Sequence, residues 1–323
     1  MNSEILFYKH AQGWQLDELL NDQRLQDIIE PSWPLVVATL SSLTPGADEQ
    51  TLQEYLAGKP RARPSLLRNG TSHSTLSYIA HKLGLHGPVL NVYAACASSL
   101  YAFYMASMVS LEQNKPVVVF CGDNMNRQYP IWHFSSFGAC DQQTGRPFDN
   151  TSKGFRMGAG SALYIIKHPS VKSKLSPQAL MHGFGFYTQP DLIANPGSIQ
   201  TIIDNLSHLD YKSIDLWNAH ATGTPVGDKA EYQYFSQVCQ QDIPIVSFKG
   251  HVGHCMAGAG AIEIAMALDC KRSNKLIPNV IKGNKIVDDP RIITDPTTFT
   301  YKRMFKASLG FGGKTIVCTI DFL

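Results

Sequence analysis

NVYAACASSL, residues 91–100, is the stretch around which the rest of the chain can be arranged. The run Val89-Leu90-Asn91-Val92-Tyr93 is short and β-branched, whereas residues 97–111 have the apolar spacing of a buried helix, so Cys96 is expected on a strand-to-helix turn. Such a turn aims the free N–H groups of a helix start at the sulfur, which favours thiolate and lowers the thiol pKa. A nucleophile fits that position. With nothing else known, a cysteine among small apolar residues is read as an ordinary buried side chain, and the choice between the two rests on stretches elsewhere in the chain.

A chain of 323 residues can bury a large core and would form one big domain or two halves sharing an interface. Charged residues make up 17% and hydrophobic ones 44%, an ordinary globular balance, and the net charge of +2 argues for no special partner. Basic residues cluster only briefly, as in Arg61-Ala62-Arg63 and Lys302-Arg303, which gives nucleic-acid binding little support and leaves room for a small basic patch facing an acidic protein. The seven cysteines are odd in number, widely spaced and without a CxxC pair, so a reducing compartment, the cytoplasm, is expected rather than disulfides or a zinc site. The opening MNSEILFYKHAQGW lacks a basic region followed by an apolar one, and no run approaches ~20 uncharged apolar residues. Neither a signal peptide nor a membrane span is expected.

Read in order, the pattern predicts strands near residues 5–8 and 35–40, a helix over 15–29, a turn at 44–48, a helix over 49–57, a basic loop over 60–72 and a helix over 72–83. PVVVF, residues 116–120, reads as a strand buried on both faces. A long irregular connection over 122–160, rich in aromatics, is expected to fold over a site. Strands are expected at 161–167, 179–186, 214–218, 243–248 and 315–320, with helices over 198–206, from Lys229 onward and over 259–268. The alternation predicts an α/β protein with parallel pairing. The crossing between halves is placed at 168–176, dividing the chain into 1–170, with Cys96, and 171–323. No residue-level repeat stands out.

Trp217-Asn218-Ala219-His220-Ala221-Thr222-Gly223-Thr224-Pro225 puts a histidine just past a strand end, among small and hydroxyl residues that let a ligand approach the backbone. Asp228 and Glu231 follow at the next helix start. Ser247-Phe248-Lys249-Gly250-His251-Val252-Gly253-His254 repeats the arrangement, with AGAGA opening the next helix. Either histidine alone would be structural; two at strand exits beside glycines suggest a site. Gly310-Phe311-Gly312-Gly313 has neither the spacing of a P-loop nor that of GxGxxG, so it carries no phosphate-binding reading.

In this order AACASSL, RPFDNTSKGFRMGAG, NAHATGTPVGDKAE, SFKGHVGHCMAGAG and GFGG resemble the signature blocks of β-ketoacyl-[acyl-carrier-protein] synthases of the elongating, Cys-His-His type. The resemblance runs from about Pro60 to the C-terminus and more loosely from Ile5. It implies an α/β, thiolase-like fold of two similar halves in a layered α-β-α-β-α arrangement, normally paired as a dimer. It also implies that Cys96 takes an acyl chain from an acyl carrier protein, while His220 and His254 assist decarboxylation of a malonyl thioester. The N–H groups of Cys96 and Phe311 would form the oxyanion hole, Lys249 and Glu231 a supporting charged pair with Asp228 beside them, and Thr222 and Thr224 would hold the phosphopantetheine arm. Phe311 would gate the acyl pocket, with Phe155 and Gly312 lining it. No metal and no permanently bound cofactor are implied; the carrier's phosphopantetheine arm arrives as part of the substrate. The product would be a β-ketoacyl carrier thioester in fatty acid, polyketide or polyene synthesis, made by a homodimer or a ketosynthase heterodimer.

The chain departs from the family's pattern at Ala221, where a glycine is usual, at Ala159, where a glutamate is usual, and at Lys314-Thr315, where Thr-Asn is usual. Its N-terminal half is also short, which suggests a divergent, trimmed synthase. Initiating synthases of the Cys-His-Asn type would need asparagine at His254, and thiolases a second catalytic cysteine near the glycine loop, where Cys318 lies too far on. Cys255 is expected to point into packing. Two alternatives stay open: an acyltransferase that passes the acyl group on without condensation, and a chain-length or scaffold subunit of a ketosynthase heterodimer.

Overall fold

A computed structural model describes residues 1–43, 47–59, 64, 70–189, 199–239 and 242–323. The expected turn at 44–48 and basic loop at 60–72 fall largely outside these residues.

Strands with alternating destinations organise the molecule. In β2 (Leu35–Ala38) and β4 (Val117–Asn124), Val36, Val117 and Val119 enter one apolar cluster, while Val37, Val118 and Phe120 enter another on the opposite face. This is the period of two that a strand imposes. With β1 (Ser3–Gln12), β3 (Val89–Asn91), β5 (Ala159–Lys167), β6 (Ala179–Thr188), β7 (Leu216–Asn218), β8 (Ile245–Val246), β11 (Arg303–Gly310) and β12 (Lys314–Phe322) they form a ten-stranded sheet, ordered β3-β2-β4-β5-β1-β6-β12-β11-β7-β8. A separate ribbon pairs β9 (Lys275–Leu276) with β10 (Thr297–Thr298).

The described helices are α1 (Leu16–Leu20), α2 (Gln23–Ile28), α3 (Ala47–Leu56), α4 (Ser72–Lys82), α5 (Ser98–Gln113), α6 (Gln128–Ser135), α7 (Ile199–Leu206), α8 (Pro225–Val238), α9 (Lys249–Val252) and α10 (Ala259–Ser273). Residues of α5 and α10 share one core with both ends of the sheet, from Val36 and Val119 to Leu216, Val246 and Met304. The other face is covered by α1, α2 and α4 at one end and by α7 and α8 at the other. The result is helix, sheet, central helices, sheet, helix. Small residues make the centre possible: a Cβ on Gly260 would lie 2.6 Å from Ser99 Oγ, so α5 and α10 cross at a separation that only glycine allows there.

Purely parallel pairing is not found. β2 pairs in parallel with β3 and β4, and β7 with β8 and β11, but the neighbours from β4 through β5, β1, β6 and β12 to β11 are antiparallel. The Gly310-to-Lys314 turn shows why: it joins β11 to β12 with no room for a crossover, so the two strands must run in opposite directions. β11 itself has no counterpart in the sequence reading, the expected helix over 15–29 is broken into α1 and α2, and the connection expected to be irregular contains α6.

The repeat absent from the residues is present in the backbone. From edge to middle, β3-β2-β4-β5-β1 has the same order and relative directions as β8-β7-β11-β12-β6. The central helices follow β3 and β8, each preceded by a single 3-10 turn, Ala95–Ala97 and Met256–Gly258. Those turns contain left-handed residues at matching places, Ala95 (φ 50°) and Met256 (φ 44°), and both helices end on a left-handed asparagine, Asn114 (φ 50°) and Asn274 (φ 54°).

Candidate active site

Cys96 sits where the sequence places it, between β3 and α5, 3% exposed. Ser98 braces the turn by accepting from the Ala94 N–H at 2.8 Å and donating to the Ala95 carbonyl at 2.6 Å. The left-handed Ala95 just before the nucleophile is a costly conformation for a residue with a Cβ, of the kind held in place by its surroundings at functional sites. Asp123, buried at the end of β4, ties the neighbouring loops together, accepting from the N–H groups of Leu40 (2.7 Å), Ser41 (2.9 Å) and Ala257 (2.8 Å).

The thiol pKa is not lowered. Burial pushes it up to about 12, against the smaller opposing pull of the Phe311 and Cys96 backbone N–H groups and of the Lys249 ammonium. The expected donors are present, but a sulfur removed from water loses more as a thiolate than they return. Since the thiol form then predominates at neutral pH, alkylation of Cys96 by iodoacetamide should rise about tenfold per pH unit between pH 7 and 9. Peptide-resolved mass spectrometry checks this, and a plateau below pH 9 would mean that the donors of the turn outweigh burial.

A cavity of about 180 Å³ opens beside Cys96 and is lined by His220, His254, Phe155, Phe311, Thr222 and Thr224, with Asp228 and Glu231 also on its wall. The imidazoles of His220 and His254 meet edge to face at 5.5 Å, and Phe155 packs on His254 at 5.4 Å. The segment before β5 holds His254: its N–H donates to the Arg156 carbonyl at 2.7 Å, and its carbonyl accepts from Gly158 N–H at 3.1 Å. Burial, followed by the nearby lysine charges, keeps both histidines well below the ordinary pKa, so they are neutral near pH 7. Two neutral imidazoles can donate to an oxyanion without carrying charge into the pocket.

His220 is held by its own loop. Glu231 accepts from the His220 N–H at 2.7 Å and the Ala221 N–H at 2.6 Å, while Asp228 accepts from Thr222, Gly223 and Phe148 N–H groups. Burial raises the Asp228 carboxyl to about 7 against those hydrogen bonds. Gly223 has φ +96°, and a Cβ there would lie 2.8 Å from Arg146 N, so the ATGT loop packs directly on the RPFDN loop. Ala221 needs no positive φ and seats its amide on Glu231, so the alanine is accommodated. Thr222 and Thr224 hydroxyls lie 3.1 Å apart on the cavity wall.

Lys249 does not pair with Glu231. Its ammonium is 2.5 Å from Glu263 Oε1 on α10, while Glu231 accepts from the two backbone amides. Lys306, from the middle of β11, meets the other oxygen of Glu263 at 2.5 Å. Sequence reasoning missed Glu263 and Lys306; the available signal was one acid inside the apolar AIEIA and one lysine inside RMFKASLG. Gly312 is exposed and off the cavity wall, whereas its neighbours Gly310, Phe311 and Gly313 line it. Cys255 is buried, as expected, and Cys318 lies on β12.

On its other side Cys96 is covered. Met256 Sδ lies 3.6 Å from the sulfur, and Cys140, Phe155 and Met157 complete a small cluster against which Phe134 and Phe311 pack. Phe134 touches Phe155 and Phe311 at ring separations of 5.5 and 5.6 Å, while Phe137 faces outward.

The chain is similar to known proteins over most of its length. The profile of the Beta-ketoacyl synthase, N-terminal domain, matches residues 16–171 and that of the Beta-ketoacyl synthase, C-terminal domain, residues 183–282. The chain is 25% identical to 3-oxoacyl-[acyl-carrier-protein] synthase I, chloroplastic, of Arabidopsis thaliana over 283 residues, covering 80% of this chain and 59% of that one. It is 27% identical to prosolanapyrone synthase of Alternaria solani over 307 residues, 85% of this chain but 11% of that much longer protein. Among solved structures it superposes on a β-ketoacyl synthase from Burkholderia phymatum with TM-score 0.77 at 19% identity, over 94% of this chain and 77% of that one. A type II polyketide ketosynthase in complex with its acyl-carrier protein gives TM-score 0.77 at 20% identity, over 95% and 83%. The ishigamide ketosynthase/chain length factor gives 0.76 at 21%, over 92% and 77%. With the fold thiolase-like in its doubled sheet and paired central helices, and with both profiles matching in order, the chain belongs to the β-ketoacyl synthase family.

Proposed function

We propose that the chain is a condensing acyltransferase, a 3-oxoacyl-ACP synthase, that joins an acyl group held on Cys96 to a malonyl group on an acyl carrier protein. The observation that carries this reading is that Cys96, His220 and His254 share one cavity, with the N–H groups of Cys96 and Phe311 at the sulfur. In the first half-reaction Cys96 Sγ attacks the thioester carbonyl of an acyl carrier. The oxyanion forms against those two N–H groups, and the carrier thiol leaves with the proton Cys96 gives up. In the second, the malonyl C–CO2 bond breaks, CO2 leaves, and the enolate oxygen accepts hydrogen bonds from His220 and His254. The enolate carbon then attacks the Cys96 thioester, forming the C–C bond as the C–S bond breaks, and the thiolate regains a proton from water. Neutral donors facing a dry pocket suit an enolate.

Thr222 and Thr224 on the wall support contact with the phosphopantetheine arm, and Lys314 at the rim supports approach of an acidic carrier. The packed face formed by Met256, Met157, Phe134 and Phe155 supports an acyl chain that enters by displacing Phe311 and Phe134. No described helix is long and apolar enough to cross a membrane. The doubled strand order supports division into a nucleophile half, 1–170, and a histidine half, 171–323.

The edge strand β3 supports a dimer. Val89, Leu90 and Tyr93 are exposed, and among the described residues β3 pairs with β2 alone. An uncharged apolar edge invites another strand. Leu90→Lys should convert the dimer to monomer, read by analytical ultracentrifugation; a chain already monomeric at tens of micromolar would instead favour a heterodimer partner.

The function is tested by intact-protein mass after incubation with a panel of acyl-carrier thioesters and then malonyl-carrier. A Cys96 adduct that disappears as a β-keto product two carbons longer appears is expected. An adduct released unextended would make the chain a simple acyltransferase, and no adduct would make it a subunit that needs a partner.

A further inference from the structure

Behind the two histidines lies a charge cluster that the proposed mechanism does not use. Lys306 is fully buried mid-strand in β11, opposite Asn218 of β7 and Cys318 of β12. Its Nζ is 2.5 Å from Glu263 Oε2 and 3.5 Å from the carbonyl of Ala219, the residue before His220. Glu263 Oε1 carries Lys249, five positions before His254. Glu231, bonded to the backbone of His220, lies near enough to feel both lysines. A single lysine would suffice to neutralise Glu263. The second one costs desolvation of a whole ammonium, which calls for a return elsewhere.

We propose that Lys306 is a positioning residue for the His220–His254 pair: anchored on Glu263 and at the Ala219 carbonyl, it ties the loop of His220, and through Glu263 and Lys249 that of His254, into a two-cation, two-carboxylate cluster that holds both imidazoles in place as enolate donors. The groups facing Lys306 are Glu263 from α10, Lys249 from α9, Glu231 from α8, His220 just past β7, His254 just past α9, and the Cys318 thiol on β12. The Lys306 charge acts on both histidines, whereas the donors at the Cys96 sulfur are the N–H groups of Cys96 and Phe311, so the malonyl step is expected to depend on Lys306 more than loading does. The assignment to that step rests on the function proposed above; the effect on the imidazoles does not.

The test is Lys306→Met, of similar length and without charge, beside the charge-keeping Lys306→Arg, with Lys306→Gln in reserve should the methionine variant not fold. Histidine ring carbons are followed by NMR in 13C-histidine-labelled protein from pH 4.5 to 8. In Lys306→Met the midpoints of His220 and His254 should rise by about one pH unit, and in Lys306→Arg they should stay near those of the parent. In parallel, malonyl-carrier decarboxylation should fall about five- to tenfold, with Cys96 loading changed less than about twofold. Unmoved midpoints, or equal loss of loading and decarboxylation, would overturn the proposal. If the unaltered protein decarboxylates no malonyl thioester, the proposed function fails, and the imidazole midpoints still decide the role of Lys306.

Discussion

Cys96→Ala should abolish acyl loading, by more than about a thousandfold, while leaving the protein folded. Cys96 is 3% exposed and its main side-chain neighbour is Met256 at 3.6 Å, so removing the sulfur leaves a small void that a flexible methionine can fill. The stability cost is about 1 kcal/mol, and circular dichroism and thermal melting should change little. Chemistry has no substitute for the sulfur. The other six cysteines are all buried, and among the cavity-lining residues Cys96 is the one thiol, so no adduct is expected elsewhere. Intact mass after incubation with acyl-carrier thioester reads the result directly. Loading retained on another cysteine would remove Cys96 from its assigned role and with it the reading of the whole site.

His254→Ala should lower malonyl decarboxylation by about 10²- to 10³-fold and slow loading by less than about fivefold. The asymmetry comes from the donors. At the sulfur they are backbone N–H groups of Cys96 and Phe311, which the substitution leaves alone, whereas the enolate would lose one of two imidazoles. The His254 ring is also the surface on which Phe155 packs, so a loss of about 2 to 3 kcal/mol of stability is expected and is measured separately by urea unfolding. Both histidines are held well below 6.5, so decarboxylation should be flat from pH 8 down to pH 6.5. The linkage has a definite sign. The unfolded chain takes up protons at these histidines as pH falls below about 6.5 and the folded one does not, so their contribution to stability is present above that pH and lost below it. Equal loss of loading and decarboxylation in His254→Ala would mean that His254 shapes the pocket rather than serving the enolate.

The connection over the cavity bears on substrate choice under the proposed function. The connection leading from β4 to β5 does fold over the site, as its aromatics suggested, but through α6, which places Phe134 against Phe155 and Phe311 and leaves Tyr129, Trp132 and Phe137 outside. Under the proposed function, how far Phe134 and Phe311 move would set the length of acyl chain that fits beside Met256 and Met157, which a panel of chain lengths in the loading assay would report.

Local chemistry was legible in the residues themselves. A β-branched run breaking into small residues around Cys96, and His220 followed by threonine and glycine just past β7, encode their turns directly, because a turn depends on the φ/ψ preferences and hydrogen bonding of a few adjacent residues. What joins distant stretches was not. Glu231 was expected to take Lys249, and nothing in the chain order says that its oxygens are already occupied by the amides of His220 and Ala221 or that Glu263 and Lys306 meet Lys249 instead. The thiol was expected to be acidic because helix-start donors are readable locally, while the burial that outweighs them comes from Met256 and other side chains far away in sequence. The doubled architecture escaped for the same reason: Ala95 and Met256, unlike as residues, adopt one left-handed backbone in matching turns, so the repeat is one of strand order and φ rather than of side chains. Thus the sequence by itself determined the turns and the reactive groups upon them. Tertiary structure alone decided which charges meet, which way the central strands run and how dry the sulfur is, because those depend on what packing brings together across the chain.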